Sequence, residues 1–147
     1  MKRTPIFNAI ISALQPILQA NGGPFMSFST KWVNIAEFPR ENCPVAILDA
    51  SDELPKLSGN APTVWTTDLS LLVYAYLPSS DTVGRAAVLN PLLDALDAAL
   101  APNSPAGVNT LGGLVDRISI SGKIEKFGGI TDDQIIAVVP LQYVAPQ

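Results

Sequence analysis

Near the start of the chain, Ile6, Ile10, Leu14, Ile17 and Leu18 recur at helical spacing and form one apolar stripe. The spacing predicts a helix with clear punctuation. Thr4 is placed to cap it, Pro5 falls at the first helical position, where its missing N–H costs nothing, and Asn21-Gly22-Gly23 stops it. Pro16 lies inside and is expected to bend the last turn, because it removes one hydrogen bond and crowds the carbonyl of Ser12. Two strands are expected next. Residues 28–35 alternate moderately, and 45–48 form a short apolar run behind Pro44. Residues 51–62 carry Asp52, Glu53, Pro55, Gly59, Asn60 and Pro62, a composition that predicts an exposed loop.

Residues 64–77 give the longest strand. Leu69, Leu71, Val73, Ala75 and Leu77 share one face, and Thr66, Asp68 and Ser70 the other. That second face then turns to Leu72, Tyr74 and Tyr76, so a helix or a neighbouring subunit is expected to cover it. A second helix follows, with Val88, Leu92, Leu96 and Leu100 every fourth residue and Asp94 and Asp97 on the wet side. Asn90-Pro91 permits two readings, one helix from about residue 83 kinked at Pro91 or a new helix capped by Asn90; the kinked helix is favoured. Residues 101–113 are rich in Pro, Gly, Asn and Ser, and a loop of this length is expected to do more than connect.

The cleanest alternation comes at 115–127, where Ile118, Ile120 and Ile124 face one way and Arg117, Ser119, Ser121, Lys123 and Glu125 the other. Gly128-Gly129 and Thr131-Asp132-Asp133 read as a hairpin loop. The last strand, 135–144, is apolar on both faces, which suits the centre of a sheet or a partner-covered position. The order predicts a single α+β domain over 1–147: an antiparallel or mixed sheet of four to five strands with two helices packed on one face.

Composition narrows the function classes. Hydrophobic residues make up 48% of the chain and charged ones only 15%, an apolar surplus that permits two readings, a large core or subunit interfaces, where charge is depleted. Net charge is −4, and the basic residues form no cluster beyond Lys2-Arg3, so stable duplex binding by phosphate neutralisation is not expected. With no histidine, a Ser-His-Asp triad, a Cys-His pair and the commonest zinc ligand are all absent. The single cysteine, Cys43, is expected to be a small half-buried residue and not a reactive thiol.

Gly112-Gly113 and Gly128-Gly129 lack phosphate-loop spacing and read as turn glycines. Asp52-Glu53 and Asp132-Asp133 read as solvated loop acids, Asp94 and Asp97 as surface charge, and Trp32 and Trp65 as core or interface packing. No apolar stretch reaches the ~18 residues needed to span a bilayer. Residues 6–18 are interrupted by Asn8, Ser12, Gln15 and Pro16, and no small-residue cleavage site follows, so a cytoplasmic origin is expected. No catalytic, cofactor-binding or metal-ligating residue is assigned.

The C-terminal half carries a pattern. It runs Leu89-Asn90-Pro91-Leu92-Leu93-Asp94-Ala95-Leu96, Thr110-Leu111-Gly112-Gly113-Leu114-Val115, Ile120-Ser121-Gly122-Lys123-Ile124-Glu125 and Ile136-Ala137-Val138-Val139-Pro140-Leu141. These segments, with the capped first helix ending in Gly-Gly, resemble the tail terminator (minor tail protein U-like) family of tailed bacteriophages. The resemblance implies a virion structural protein, not an enzyme. Such a protein assembles in the host cytoplasm into a ring, usually of six subunits, that caps the tail tube, stops its polymerisation and joins it to the head connector. Its partners would be its own copies, the tube protein and the connector or neck protein, with DNA only passing through the lumen and no membrane contact. An acidic or neutral lumen wall would keep phosphate from sticking.

Interface residues are expected at the outward Leu72, Tyr74 and Tyr76, along the last strand at Ile136, Val138, Leu141 and Tyr143, and in a mobile 101–114 loop at Asn109, Thr110 and Leu111, with that loop touching the tube or a neighbour. The rival expectations are a head-completion or neck protein, and a small carboxylate-based ligand-binding domain or enzyme.

Overall fold

The computed structural model describes residues 2–58, 61–78, 84–128 and 133–146. The fold is α+β. Strands β1 (Ser27–Ser29), β2 (Val45–Ser58), β3 (Ala61–Tyr76), β4 (Arg117–Ile120), β5 (Glu125–Gly128) and β6 (Gln134–Pro146) make one mixed sheet. Helices α1 (Arg3–Leu14) and α2 (Arg85–Ala99) pack on one of its faces. The sheet order is β1-β2-β3-β6-β4; β5 also pairs with β6, beside β4 because the other side of β6 is fully occupied by β3. Among the described residues, β1 and β2 are the one parallel strand pair. Among the described residues there are six strands, one more than the four to five expected, because the run expected at 115–127 is split into β4 and β5; the 28–35 run is shortened to the three-residue β1.

Helix α1 differs from expectation at both ends. It begins at Arg3 with no side-chain cap, so Thr4 and Pro5 lie within its first turn. It ends at Leu14 instead of bending at Pro16. The Gln15 N–H takes the Ser12 carbonyl that Pro16 cannot serve, and the chain tightens into a 3-10 turn at Gln15–Ile17. A second such turn, Gln19–Asn21, closes at Gly22 with φ 91°, the left-handed geometry glycine tolerates. At Gly23 a Cβ would overlap the Ile17 carbonyl carbon and oxygen, so only glycine lets these segments touch. Residues 30–34 leave the strand conformation because the Asn34 side chain accepts from the Ala36 N–H (3.0 Å) and starts a 3-10 turn.

Of the loop expected at 51–62, residues 51–58 and 61–62 belong to β2 and β3, paired antiparallel from Glu53↔Thr67 to Ser58↔Ala61, and residues 59–60 lie outside the described residues. The main-chain ladder continues through this segment, with register shifts between Ala50 and Glu53 and between Lys56 and Leu57. Pro55 is tolerated because β1 covers only Val45–Ile47, leaving the rest of β2 an edge among the described residues.

Helix α2 runs continuously through Pro91, the single-helix reading favoured above; its expected start at residue 83 lies outside the described residues. Ala87, Asn90 and Pro91 are all exposed, so the carbonyl that Pro91 leaves without a donor sits on the wet side. The buried stripe is Leu89, Leu92 and Leu96, meeting Ile6, Ile10 and Leu14 of α1 over the sheet. Each of these side chains contributes about 1.5–3 kcal/mol by leaving water.

Strand β6 is central, as its two-sided apolar character suggested. Its odd positions, Ile135, Ala137, Val139, Leu141, Tyr143 and Ala145, are buried under the helices. Pro140 breaks the neighbouring edge. Its carbonyl accepts from the Ser121 N–H (2.8 Å), so its main chain points toward β4 and β5, and the N–H that proline lacks is missing from that ladder. The expected 115–127 strand therefore stops at Ile120 and resumes at Glu125, with two extra residues looped out against β6. Ile118, Ile120 and Ile124 still pack on the core side. Of the expected 128–133 hairpin loop, residues 129–132 lie outside the described residues.

Candidate assembly surfaces

The second face of the sheet carries Val45, Ile47 and Asp49 of β2, the even positions Asp68 to Tyr76 of β3, and Ile136, Val138, Pro140 and Gln142 of β6. At one end it is covered by the chain's own segment 34–44, which forms 3-10 turns at Ile35–Glu37 and Arg40–Asn42. Ile35, Val45, Ile47 and Tyr74 make a small second core there. The rings of Phe38 and Tyr74 meet edge-on at 6.4 Å, and the Tyr76 hydroxyl donates to the Ile35 carbonyl (3.2 Å).

Arg40 clasps the strap to the sheet. Its guanidinium donates to Asp133 Oδ2 (2.8 Å) and to the Leu77 carbonyl (3.0 Å) and lies over the Tyr76 ring at 4.7 Å. The Arg40–Asp133 pair is about half exposed, so the planar stacking and the carbonyl contact add to a weak surface ion pair.

Burial under this strap pushes the Tyr74 hydroxyl above its usual value. Cys43, at the strap's end, is half-buried as expected, and its thiol is pushed up to about 11, chiefly by burial, with Arg40 opposing and Glu41 adding to the rise. A thiol so placed is protonated at neutral pH and a poor nucleophile.

Beyond the strap the cover thins among the described residues: Leu72 and Ile136 still pack against the edge of the small core. Leu72, Ile136 and Val138 are partly exposed, and Phe127 of β5, paired with Ile136, is 47% exposed. A polar half adjoins it, where Gln142 donates to Asp68 Oδ1 (2.9 Å). Phe127 shares a parity with Glu125, so its outward direction was readable from the alternation, although it was not named as an interface residue.

The ten expected interface residues divide by where the fold puts them. Leu72, Tyr76, Ile136 and Val138 share the outer face. Tyr74 also lies on it but is 4% exposed, covered by this chain's own strap and so unavailable to a neighbour. Leu141 and Tyr143 are corrections. They occupy odd positions of β6, point to the helices and are buried in the main core.

The 101–114 loop is also unlike the mobile contact expected. Asn109 is 5% exposed; its Nδ2 donates to the Ala101 carbonyl (3.0 Å), and its Oδ1 accepts from Asn103 Nδ2 (3.1 Å) and the Leu111 N–H (3.0 Å). Its own carbonyl takes the Ile118 N–H (2.8 Å), fixing the loop to the outer edge of β4. Leu111 is buried and adopts φ 49°, leading into two left-handed glycines, while Thr110 is half-buried. Asn109 and Leu111 are thus internal struts.

Two other surfaces stand out. Trp32, expected in core or interface packing, is 59% exposed on the 30–34 segment, whereas Trp65 lies under the Arg3 guanidinium at 5.5 Å. A groove of about 670 Å3 runs between α1 and α2 near their C-terminal ends. Among the described residues no three His, Cys, Asp or Glu side chains come together, and no helix is long and apolar enough to cross a membrane. No family model and no curated protein sequence matches the chain.

Proposed function

We propose that this chain is a virion structural protein of a tailed bacteriophage, a tail terminator whose copies form a ring on the end of the tail tube. In this reading it has no catalytic chemistry of its own. The ring stops tube polymerisation and presents a surface to the head connector, and DNA passes through its lumen.

One observation carries the self-assembling role: beyond the small core under the strap, the same sheet face runs on through the partly exposed Leu72, Ile136 and Val138 to Phe127, which is exposed among the described residues. Uncovered apolar surface rimmed by polar residues marks interaction sites. The segments resembling tail terminators supply the particular role, and the net charge of −4 suits a conduit wall that repels phosphate.

The test is to add purified protein to polymerising tail tube protein and measure tube lengths and end structures by electron microscopy. The expected result is shortened tubes with a ring at one end. Tubes of unchanged length, with the protein bound to a portal or connector, would instead make it a head-completion or neck protein. A channel lined with Lys and Arg would count against the conduit argument.

A further inference from the structure

We propose that two copies of this chain meet head to tail, with Trp32 of one seated in the groove between α1 and α2 of the next; this rests on the ring reading above and specifies its contact. Trp32 is the most exposed large apolar side chain among the described residues. It follows a fixed turn: the Ser29 hydroxyl accepts from the Lys31 N–H (3.1 Å) and donates to the Lys31 carbonyl (3.2 Å). A large, rigid aromatic held out in water is the type of residue that anchors interfaces when it finds a desolvated pocket.

The groove is an open one that an indole would close. Ala9, Ser12 and Ala13 of α1 and Ala98 and Ala99 of α2 form two of its sides and the 101–112 loop, with Asn103 and Asn109, the third; no charged side chain lines it. Small uncharged walls let an indole and its flanking main chain enter without desolvating a charge. The electrostatics match as well. Neither helix has a basic residue in its last turn, so the partial negative charge at their C-terminal ends meets no cationic side chain from those turns; at α1 the neutral Gln15 amide donates to the Ile11 carbonyl (3.4 Å). Lys31, exposed beside Trp32, would bring that positive charge with it.

The two patches also lie apart. On α1 the groove takes the flank of Ala9, Ser12 and Ala13. The opposite flank, Ile11 and Gln15, faces Phe28 to Thr30, just before Trp32, across a separate cleft of about 240 Å3. A contact between two different patches is heterologous and builds rings or filaments, not closed pairs.

The test uses the full chain and two single variants that damage opposite sides of the contact. Trp32→Ala removes the anchor, and Ala98→Phe, at an exposed position, fills the groove; Ser12→Trp is a second block should the first fail to fold. Masses are read by light scattering on a sizing column. The wild type is expected as a multimer and each variant alone as a monomer near 15.5 kDa. An equimolar mixture is expected to give one-to-one pairs, because each pair keeps one intact anchor and one intact groove. A Trp32→Ala protein that keeps the wild-type mass, or a mixture that stays monomeric, overturns this contact while leaving the ring reading intact. A wild type that stays monomeric at every concentration and with tube protein overturns both.

Discussion

Replacing Asn109 by Ala tests whether the 101–114 loop is held from within. The substitution removes three side-chain hydrogen bonds at a position 5% exposed. The Ala101 carbonyl and the Asn103 amide belong to exposed residues, so water replaces Asn109 there, at a net cost of about 0.5–1.5 kcal/mol each. The Leu111 N–H is different, because Leu111 is buried and its donor is left unpaired, costing about 1–3 kcal/mol. The sum is about 2–6 kcal/mol. With a urea slope of about 2 kcal/mol per molar, the unfolding midpoint should fall by roughly 1–3 M.

Hydrogen exchange gives the local counterpart. The amides of Leu111 and Gly113, the latter donating to the Thr110 carbonyl (3.0 Å), should lose protection before the β6 amides do. A midpoint within about 0.3 M of wild type, with Leu111 protection unchanged, would refute the strut role and return the loop to a mobile element.

The remaining predictions follow the same logic. Leu141→Ala, in the main core at 0% exposure, should cost about 2–5 kcal/mol by thermal or urea unfolding, whereas Val138→Ala on the partly exposed outer face should cost under about 1 kcal/mol and instead weaken self-association. Equal losses would mean the face assignment is wrong. Gly23→Ala should destabilise by about 1–3 kcal/mol, since the Ile17 carbonyl has to move, and a neutral result in the same assay would remove that contact. Thr67→Val should be neutral or stabilising by up to about 1 kcal/mol, because the Thr67 hydroxyl is buried with no partner among the described residues. For Cys43, a thiol at about 11 against its ordinary 9.0 binds more protons folded than unfolded between those values. Its contribution is therefore full below pH 9 and lost as pH rises toward 11, and iodoacetamide labelling near pH 8 should run roughly 100-fold slower in the folded than in the unfolded chain. Rapid labelling at neutral pH would contradict the burial.

The sequence by itself determined the elements whose pattern is local. The stripes of α1 and α2 are spaced at the helical period, and the parity of 69–77 and of 115–127 set which side chains face the core. Strand β6, apolar on both faces, is central as that character required. Wherever the chain answers to a partner distant in sequence, tertiary structure decided. Residues 51–58 read as loop because their composition is polar, yet pairing with β3 extends them as strand. Leu141 and Tyr143 read as interface because both faces of β6 are greasy, but only the helices across the sheet reveal which face is already filled. Tyr74 is removed from the surface by a strap 30 or more residues earlier, and Trp32 is left exposed by the turn that begins at Asn34. Periodicity records how a segment meets its immediate environment; which surface remains uncovered depends on the sum of all other segments, and that sum exists only in the folded chain.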